Sequence, residues 1–351
     1  MKITKVTYER LDINLATPYI IAYETVAKAT NFILKIETNT STIGYGCAAP
    51  DDTVTGETPD QVENAIKDII IPYLIGKNPF LTVKILEDLK LVLKGSASAL
   101  AMVDIGLHDL ISRKLNIPLY QFLGGYRESI PTSITIGILS VSDTLREATE
   151  FIKQGFNILK IKGGLDVEDD IEKMIKIRER YPHVSLRFDG NQGYTVEDSV
   201  AFVKRTKHVD IEIFEQPLPI LKEEKLGQVT QQVTIPVMAD ESIKTLKDAF
   251  RLAQNQRIDM VNIKLMKVGG ILEAKHISSV AKSANLDVMV GCIDECRLGI
   301  SAGLHFALSR PNIHFADLDG HLDMKNDPFG ELFTLKKGIL YPSTYPGLGK
   351  I

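Results

Sequence analysis

Five short apolar runs in this chain each end in an ionisable residue, and those ends are almost evenly spaced. The runs are Ile158–Lys162, Leu186–Asp189, Ile211–Glu215, Pro236–Asp240 and Val261–Lys264, so their ends lie 27, 26, 25 and 24 residues apart. Each run is mostly apolar and rich in β-branched residues, as a strand buried on both faces must be. The gaps carry helical sequence. Parallel strands need such crossovers. A repeat of about 25 residues with chemistry at each strand end is the pattern of a (β/α) barrel and its catalytic rim.

The same rhythm extends in both directions. Strands are expected at Pro131–Ile138, 157–162, 184–189, 210–215, 235–240, 258–264, 286–291 and 313–317. Helices are expected over Asp143–Gln154, Val167–Arg180, Val196–Thr206, Leu221–Thr230, Leu246–Gln254, Ile271–Ser283 and Leu298–Ser309. The first third breaks the period. Ile3–Leu11, Phe32–Glu37 and Thr42–Gly46 read as strands, and helices follow at Pro59–Ile70, Pro79–Leu93 and Ala97–Leu115. Strands followed by helices indicate a separate α+β unit. Gly124-Gly125 closes it, so the expected division is a cap over 1–125, a barrel over 126–320 and a tail over 321–351 that returns to the cap. Within the tail, Leu332–Tyr341 reads as a strand pair.

Bulk properties remove several functions. Net charge is −4 with no basic run, which argues against nucleic acid and anionic membranes as partners. No stretch approaches the roughly 18–20 apolar residues of a membrane span. The amino terminus alternates like a strand and lacks the apolar core of a signal peptide. Three cysteines, Cys47, Cys292 and Cys296, do not make a disulfide framework and fit a reducing cytoplasm. Cys292-x-x-x-Cys296 reads as two part-buried thiols, because no second Cys or His pair has matching spacing.

The rim residues carry a specific chemistry. Asp189, Glu215 and Asp240 end three consecutive strands, so their side chains can converge. Oxygen ligands without Cys or His suit Mg²⁺ or Mn²⁺. Asn191, two residues past Asp189, is a natural supporting donor. Lys160 and Lys162 share a strand face by period-two alternation. Two ammonium groups held close beside a metal are expected to lower each other's pKa toward that of a useful base. Lys264 stands across the barrel from them, and Lys267 reads as structural. A carboxylate bound to the metal has an acidified α-proton. One lysine removes it and the other returns it, giving epimerisation, or elimination if a β-leaving group departs. Asp317-x-Asp319 ends the eighth strand. That pair could join the metal, cap a loop or bind a substrate ammonium.

These motifs resemble the enolase superfamily, in its muconate lactonizing enzyme subgroup, and most closely the dipeptide epimerases. A lysine or histidine base with Mg²⁺ is general to that superfamily. The resemblance covers nearly the whole chain. It rests on helix Ala97–Leu115 leading into Leu123-Gly-Gly125, Lys160-Ile-Lys162, Phe188-Asp-Gly-Asn-Gln-Gly193, Glu215-Gln-Pro217, Ala239-Asp-Glu-Ser242, Asn262-Ile-Lys264 with Gly269-Gly270, and Asp317-Leu-Asp319. It implies a (β/α)7β modified TIM barrel with an α+β capping domain completed by the carboxy-terminal tail. It also implies Lys162 and Lys264 as acid/base catalysts, Lys160 in support, and Mg²⁺ on Asp189, Glu215 and Asp240. Asp317 and Asp319 would bind a dipeptide's α-ammonium. Loops near Ala16–Ala27 and Pro50–Gly56 would select the second side chain. The first often supplies an arginine for glutamate in enzymes acting on Ala-Glu, and here that position reads as Glu24, with Lys28 nearby.

The implied activity is inversion of the C-terminal α-carbon of an L-Ala-X type dipeptide, L-Ala-L/D-Glu being one candidate, by a homo-oligomeric enzyme. The rivals on the same scaffold are N-acylamino-acid racemase, o-succinylbenzoate synthase and muconate cycloisomerase. Their substrates lack a free α-ammonium and would leave Asp317-x-Asp319 without a partner. A non-catalytic binding protein would have no need of both lysines with all three carboxylates.

Overall fold

The alternation at the amino terminus runs further than the sequence indicates. The computed structural model describes residues 1–21, 24–254 and 256–351, with side chains described outside 16–26. Strands β1 (Ile3–Ile21) and β2 (Glu24–Thr38) pair antiparallel nearly end to end, and β3 (Ile43–Ala48) adds to β2. The expected loop at Ala16–Ala27 is therefore strand on both arms. Tyr19, Ile20, Thr25 and Val26 all favour extended backbone, and the pairing continues through Tyr19–Val26 and Ile20–Thr25 to Ile21–Glu24. Helices Pro59–Ala65, Thr82–Val92 and Ala97–Lys114 bury one face of this sheet around Phe32, Leu34 and Ile36.

The long helix Ala97–Lys114 starts without a local cap, since Ser96 makes no side-chain capping bond. Glu57, buried and 41 residues earlier, takes that role. Its carboxylate accepts from the backbone N–H of Ser98 (2.7 Å) and of Ala99 (3.4 Å). Burial pushes the Glu57 carboxyl up, and those N–H groups oppose the shift.

The repeat becomes the expected barrel. After β4 (Ile130–Pro131), eight strands lie side by side in chain order: β5 (Ile134–Ile136), β6 (Ile158–Lys162), β7 (Ser185–Asp189), β8 (Ile211–Glu215), β9 (Val237–Ala239), β10 (Met260–Lys264), β11 (Asp287–Gly291) and β12 (Ile313–Asp317). All neighbouring pairs are parallel, with a helical crossover in each gap. The fold is thus an enolase-type TIM barrel beside a separate antiparallel amino-terminal sheet. The expected strand Pro131–Ile138 divides in two. Proline cannot donate to a ladder, and Pro131 instead pairs at an edge in β4.

The sheet's two edges, β5 and β12, meet through Ser133, whose N–H donates to the Ala316 carbonyl (3.1 Å). Side chains complete the seam. Thr135 N–H donates to Asp319 Oδ2 (2.7 Å), and Leu318 N–H donates to Thr132 Oγ1 (2.8 Å). The tail forms a hairpin, β13 (Phe333–Lys336) and β14 (Ile339–Pro342), turned by Lys337 and Gly338 at positive φ. β14 also pairs with β4. The last residues reach the long cap helix, where Leu348 N–H donates to Asp109 Oδ1 (2.7 Å) and Arg113 donates to the Gly349 carbonyl (2.8 Å).

Glu57→Ala should lower stability by about 1–2 kcal/mol, as loss of a helix cap does. A urea midpoint unchanged from the native protein would show that the Glu57 contacts do not cap this helix.

Candidate active site

Strict alternation along the strands decides what faces the barrel axis. Ile213, Met238, Met260 and Met289 form an inner apolar layer with Phe315, apart from the outer core that packs on the helices. Two residues further along, the same face carries Glu215, Asp240, Asn262, Gly291 and Asp317. Asp189 stands likewise above Arg187. Gly291 has no room for a side chain, because a Cβ there would lie 2.5 Å from Asn262 Oδ1.

The expected residues come together at this level, and Asp189, Glu215, Asp240 and Asp317 each have a lysine in contact. Lys160 Nζ lies 3.1 Å from Asp189 Oδ2, 2.8 Å from Glu215 Oε2 and 2.9 Å from Asp317 Oδ2. Lys162 Nζ is 3.9 Å from Asp189 Oδ2 and remains partly exposed. Lys264 Nζ is 2.7 Å from Asp240 Oδ2. Lys267, fully buried, holds Asp240 Oδ1 at 2.5 Å and also donates to the Asp240 carbonyl. Asn191 bonds Asp189 through its backbone N–H (2.9 Å), not its side chain. The strand order sets Lys162 on β6 and Lys264 on β10, flanking the three carboxylate strands β7, β8 and β9.

Protonation corrects the sequence reading. Burial acts to lower the Lys160 pKa, but Asp189, Asp317 and Glu215 outweigh it and hold the value well above the ordinary one. Lys264 is likewise raised, burial being outweighed chiefly by Asp240. The expectation of depressed lysines weighs neighbouring cations and omits the carboxylates. Lys267 alone of these three is lowered, by burial.

Several participants are not evident from sequence. Asn262 Nδ2 donates to Glu215 Oε1 (2.7 Å), and the Gln216 side-chain oxygen accepts from Asp240 N–H (2.9 Å). Glu241 is buried beside Asp240, and burial and that neighbour push its carboxyl up to about 7. Asn262 and Glu241 both lie inside the motifs that carry the resemblance, so adjacency to Lys264 and Asp240 is the signal that could find them. Ser133 Oγ donates to Asp317 Oδ1 (2.6 Å). Burial raises Asp317, but Lys160 and Ser133 overcome this and bring it to about 2. Burial and Asp317 together push Asp319 up to about 7. Nothing in the sequence near residue 133 announces that role.

Among the described residues, no three Asp, Glu, His or Cys side chains are arranged to hold a metal ion as placed. Asp189, Glu215 and Asp240 are drawn to the lysine ammonium groups instead. Their chemistry still fits a hard divalent cation. The donors are oxygen only, and Asp189, Glu215, Asp240, Glu241, Asp317 and Asp319 outnumber Lys160, Lys162, Lys264 and Lys267. Burial, with Asp189 and Asp240 nearby, pushes Glu215 up to about 8 even though Lys160 opposes the shift.

Of the two loops expected at the mouth, the first carries Glu24, whose side chain lies outside the described residues. Lys28 is exposed and pairs with Asp12 (3.6 Å). Pro50–Gly56 folds on itself, with Asp51 Oδ1 accepting from Thr53 N–H (2.9 Å) and Val54 N–H (2.7 Å). Cys292 is half-buried, 3.9 Å from Asp319 Oδ1, whereas Cys296 is buried and faces Cys47 of the cap at 3.6 Å.

Comparison with known proteins gives one consistent match. Residues 3–124 match the mandelate racemase/muconate lactonizing enzyme N-terminal domain, and residues 143–350 match the enolase C-terminal domain-like family. An L-Lys-D/L-Arg epimerase of Desulforapulum autotrophicum is 40% identical, over 99% of each chain. A substrate-liganded L-Ala-D/L-Glu epimerase of Bacillus subtilis superposes with a TM-score of 0.97 at 36% identity, covering 99% of this chain and 98% of that one. A dipeptide epimerase of Enterococcus faecalis, solved with Mg and L-Leu-L-Tyr, superposes with a TM-score of 0.96 at 37% identity, over 99% of each chain.

Glu295, buried at the mouth, gives this region a pH signature. Burial pushes its carboxyl up to about 8, against the Ile293 N–H and Lys264. The folded state therefore holds a proton that the unfolded state releases near pH 4.5. The stabilisation is complete below that pH and is lost as pH rises toward 8. Glu295→Gln should flatten the fall in stability between pH 5 and 8 by on the order of 2–4 kcal/mol. Parallel pH–stability curves for native and variant protein would refute the assignment.

Proposed function

The chain belongs to the mandelate racemase and muconate lactonizing enzyme family of the enolase superfamily, and we propose that it is a Mg²⁺-dependent dipeptide epimerase. It would invert the C-terminal α-carbon of an L-Ala-X type dipeptide. The observation that carries this reading is the placement of Lys162 and Lys264 on either side of the three carboxylate strands. A substrate seated over those strands has one lysine on each face of its α-carbon. The relatives solved with Mg and a dipeptide support the same reading.

Asp189, Glu215 and Asp240 are the residues that would hold Mg²⁺, or Mn²⁺ in its place. When bound, the ion stabilises the charge that develops on the substrate carboxylate as the α-proton leaves. Lys162 and Lys264 move the proton. For either hand of substrate, one lysine takes the proton and the other delivers one from the opposite face. Lys264 acts as a base only once Asp240 turns from it, because the 2.7 Å contact keeps the proton on nitrogen. Lys160 stays charged and holds its carboxylates in place. Asp317 and Asp319 bind the substrate α-ammonium, using lone pairs left over from Ser133, Lys160 and Thr135. Glu24 stands where the resemblance expects an arginine for a glutamate side chain, so a neutral or cationic second residue is the better fit. Three free cysteines fit a reducing cytoplasm, and assembly as a homo-oligomer is expected.

A dipeptide library incubated in D₂O should gain one mass unit at the C-terminal α-carbon of its substrates, and EDTA should abolish the gain. Lys162→Ala or Lys264→Ala should end epimerisation. Inversion at the native rate by either variant would remove the two-base assignment.

Asp317→Asn and Asp319→Asn should each lower kcat/KM for free dipeptides by roughly 10–100-fold, the value of a charged hydrogen bond of about 1.5–3 kcal/mol. N-acetyl dipeptides should be poor substrates of the native enzyme. Equal kcat/KM for free and acetylated forms would move the assignment to N-acylamino-acid racemase.

A further inference from the structure

Asp170 lies on the helix that follows β6, Val167–Arg180, and is only 1% exposed. Its two oxygens have different partners. Oδ2 accepts from the Gly164 N–H (2.8 Å) and from the Tyr194 hydroxyl (2.8 Å). Oδ1 faces Lys173 Nζ at 3.4 Å, and that buried ammonium also holds Asp169 at 2.5 Å. A single oxygen thus ties the loop leaving Lys162 to the loop leaving Asp189.

The tie has little slack. A Cβ at Gly163 would come within 2.5 Å of both Asp170 Oδ2 and the Phe188 ring. The Gly163 N–H donates to the Asp189 carbonyl (2.9 Å), and the Tyr194 N–H donates to the Pro217 carbonyl (2.9 Å). The chain just past Lys162 is therefore held from the barrel side by β7 and from the outer side by Asp170. Lys264 stands four strands away and leaves β10 into a different helix, Leu265–Val268.

We propose that Asp170 is a positioning residue for Lys162, fixing the exit of β6 and so the direction from which that lysine meets the substrate α-carbon. The inference rests on the epimerase reading. Its consequence is asymmetric, because a fault at Asp170 falls on one base of the two. A merely structural role would slow both bases alike.

The test is the initial rate of α-proton exchange in D₂O, measured separately for the two epimers of one substrate. Native enzyme is compared with Asp170→Ala, Asp170→Asn and Tyr194→Phe, and Lys162→Ala and Lys264→Ala calibrate which epimer each lysine serves. Asp170→Ala should slow the epimer served by Lys162 about tenfold more than the other, as a small misplacement of a reacting group does. The skew should match that of Lys162→Ala and oppose that of Lys264→Ala. Tyr194→Phe should give about a threefold skew in the same sense. Asp170→Asn keeps an oxygen that can accept both bonds, so its skew should fall below that of Asp170→Ala. Equal slowing of both epimers by Asp170→Ala, or by Tyr194→Phe if the alanine variant does not fold, overturns the inference alone. A native enzyme that exchanges no dipeptide overturns the epimerase reading and the inference with it.

Discussion

A lysine that is 2% exposed in the middle of a barrel dictates its surroundings. An ammonium taken out of water must be paired, or it gives up its proton. Lys160 is paired three times over, with Asp189 on β7, Glu215 on β8 and Asp317 on β12. Those partners reach across the axis and to the far edge of the sheet. The contact thus joins four strands at the level where the apolar inner layer ends. Above it lie the groups that would bind substrate, and below it methionines fill the axis. Removing the Lys160 ammonium would leave three buried carboxyl groups without their shared counter-charge, which is far more damaging than losing a surface ion pair.

Most of this arrangement is written in local sequence. Period-two alternation fixes which residues of β6 to β12 face inward, so spacing alone assigns Lys160, Lys162, Asp189, Glu215, Asp240, Lys264 and Asp317 to one surface. Helices Val167–Arg180, Leu246–Gln254 and Ile271–Ser283 fall where their apolar spacing puts them. What escapes is contact between distant segments. The cap of helix Ala97–Lys114 comes from Glu57, and the partner of Asp317 comes from Ser133, 184 residues away. The full length of the β1–β2 hairpin escapes as well, because Pro18 and an irregular apolar pattern break the alternation where the ladder itself shifts register, between Asn14 and Tyr19.

Charge states are the least legible feature. Counting Lys160 and Lys162 as like charges points to depressed pKa values, whereas the carboxylates around them reverse the sign for Lys160. Which effect wins depends on the 2.8–3.1 Å contacts that residues from four strands make with one another, and one-dimensional spacing does not encode them. The same crowding explains why Glu215, Glu241 and Asp319 are pushed up while Asp240 is pulled well below the carboxylate range by Lys264 and Lys267, against its burial. Glu215 is pushed up even with Lys160 at 2.8 Å, because burial and the neighbouring Asp189 and Asp240 outweigh that one ammonium, whereas Asp240 has two ammonium groups in contact.

The seam between β5 and β12 bears on how such a protein can change over generations. Asp319 caps the Thr135 N–H and Asp317 receives Ser133, so both carboxylates help to close the cylinder as well as facing its mouth. A lineage turning to substrates without an ammonium gains nothing from them as recognition groups, yet cannot discard them freely. Any replacement must still satisfy a part-buried peptide N–H and a buried hydroxyl. Drift in specificity is therefore costly at this edge of the sheet, where a recognition group is also a structural one.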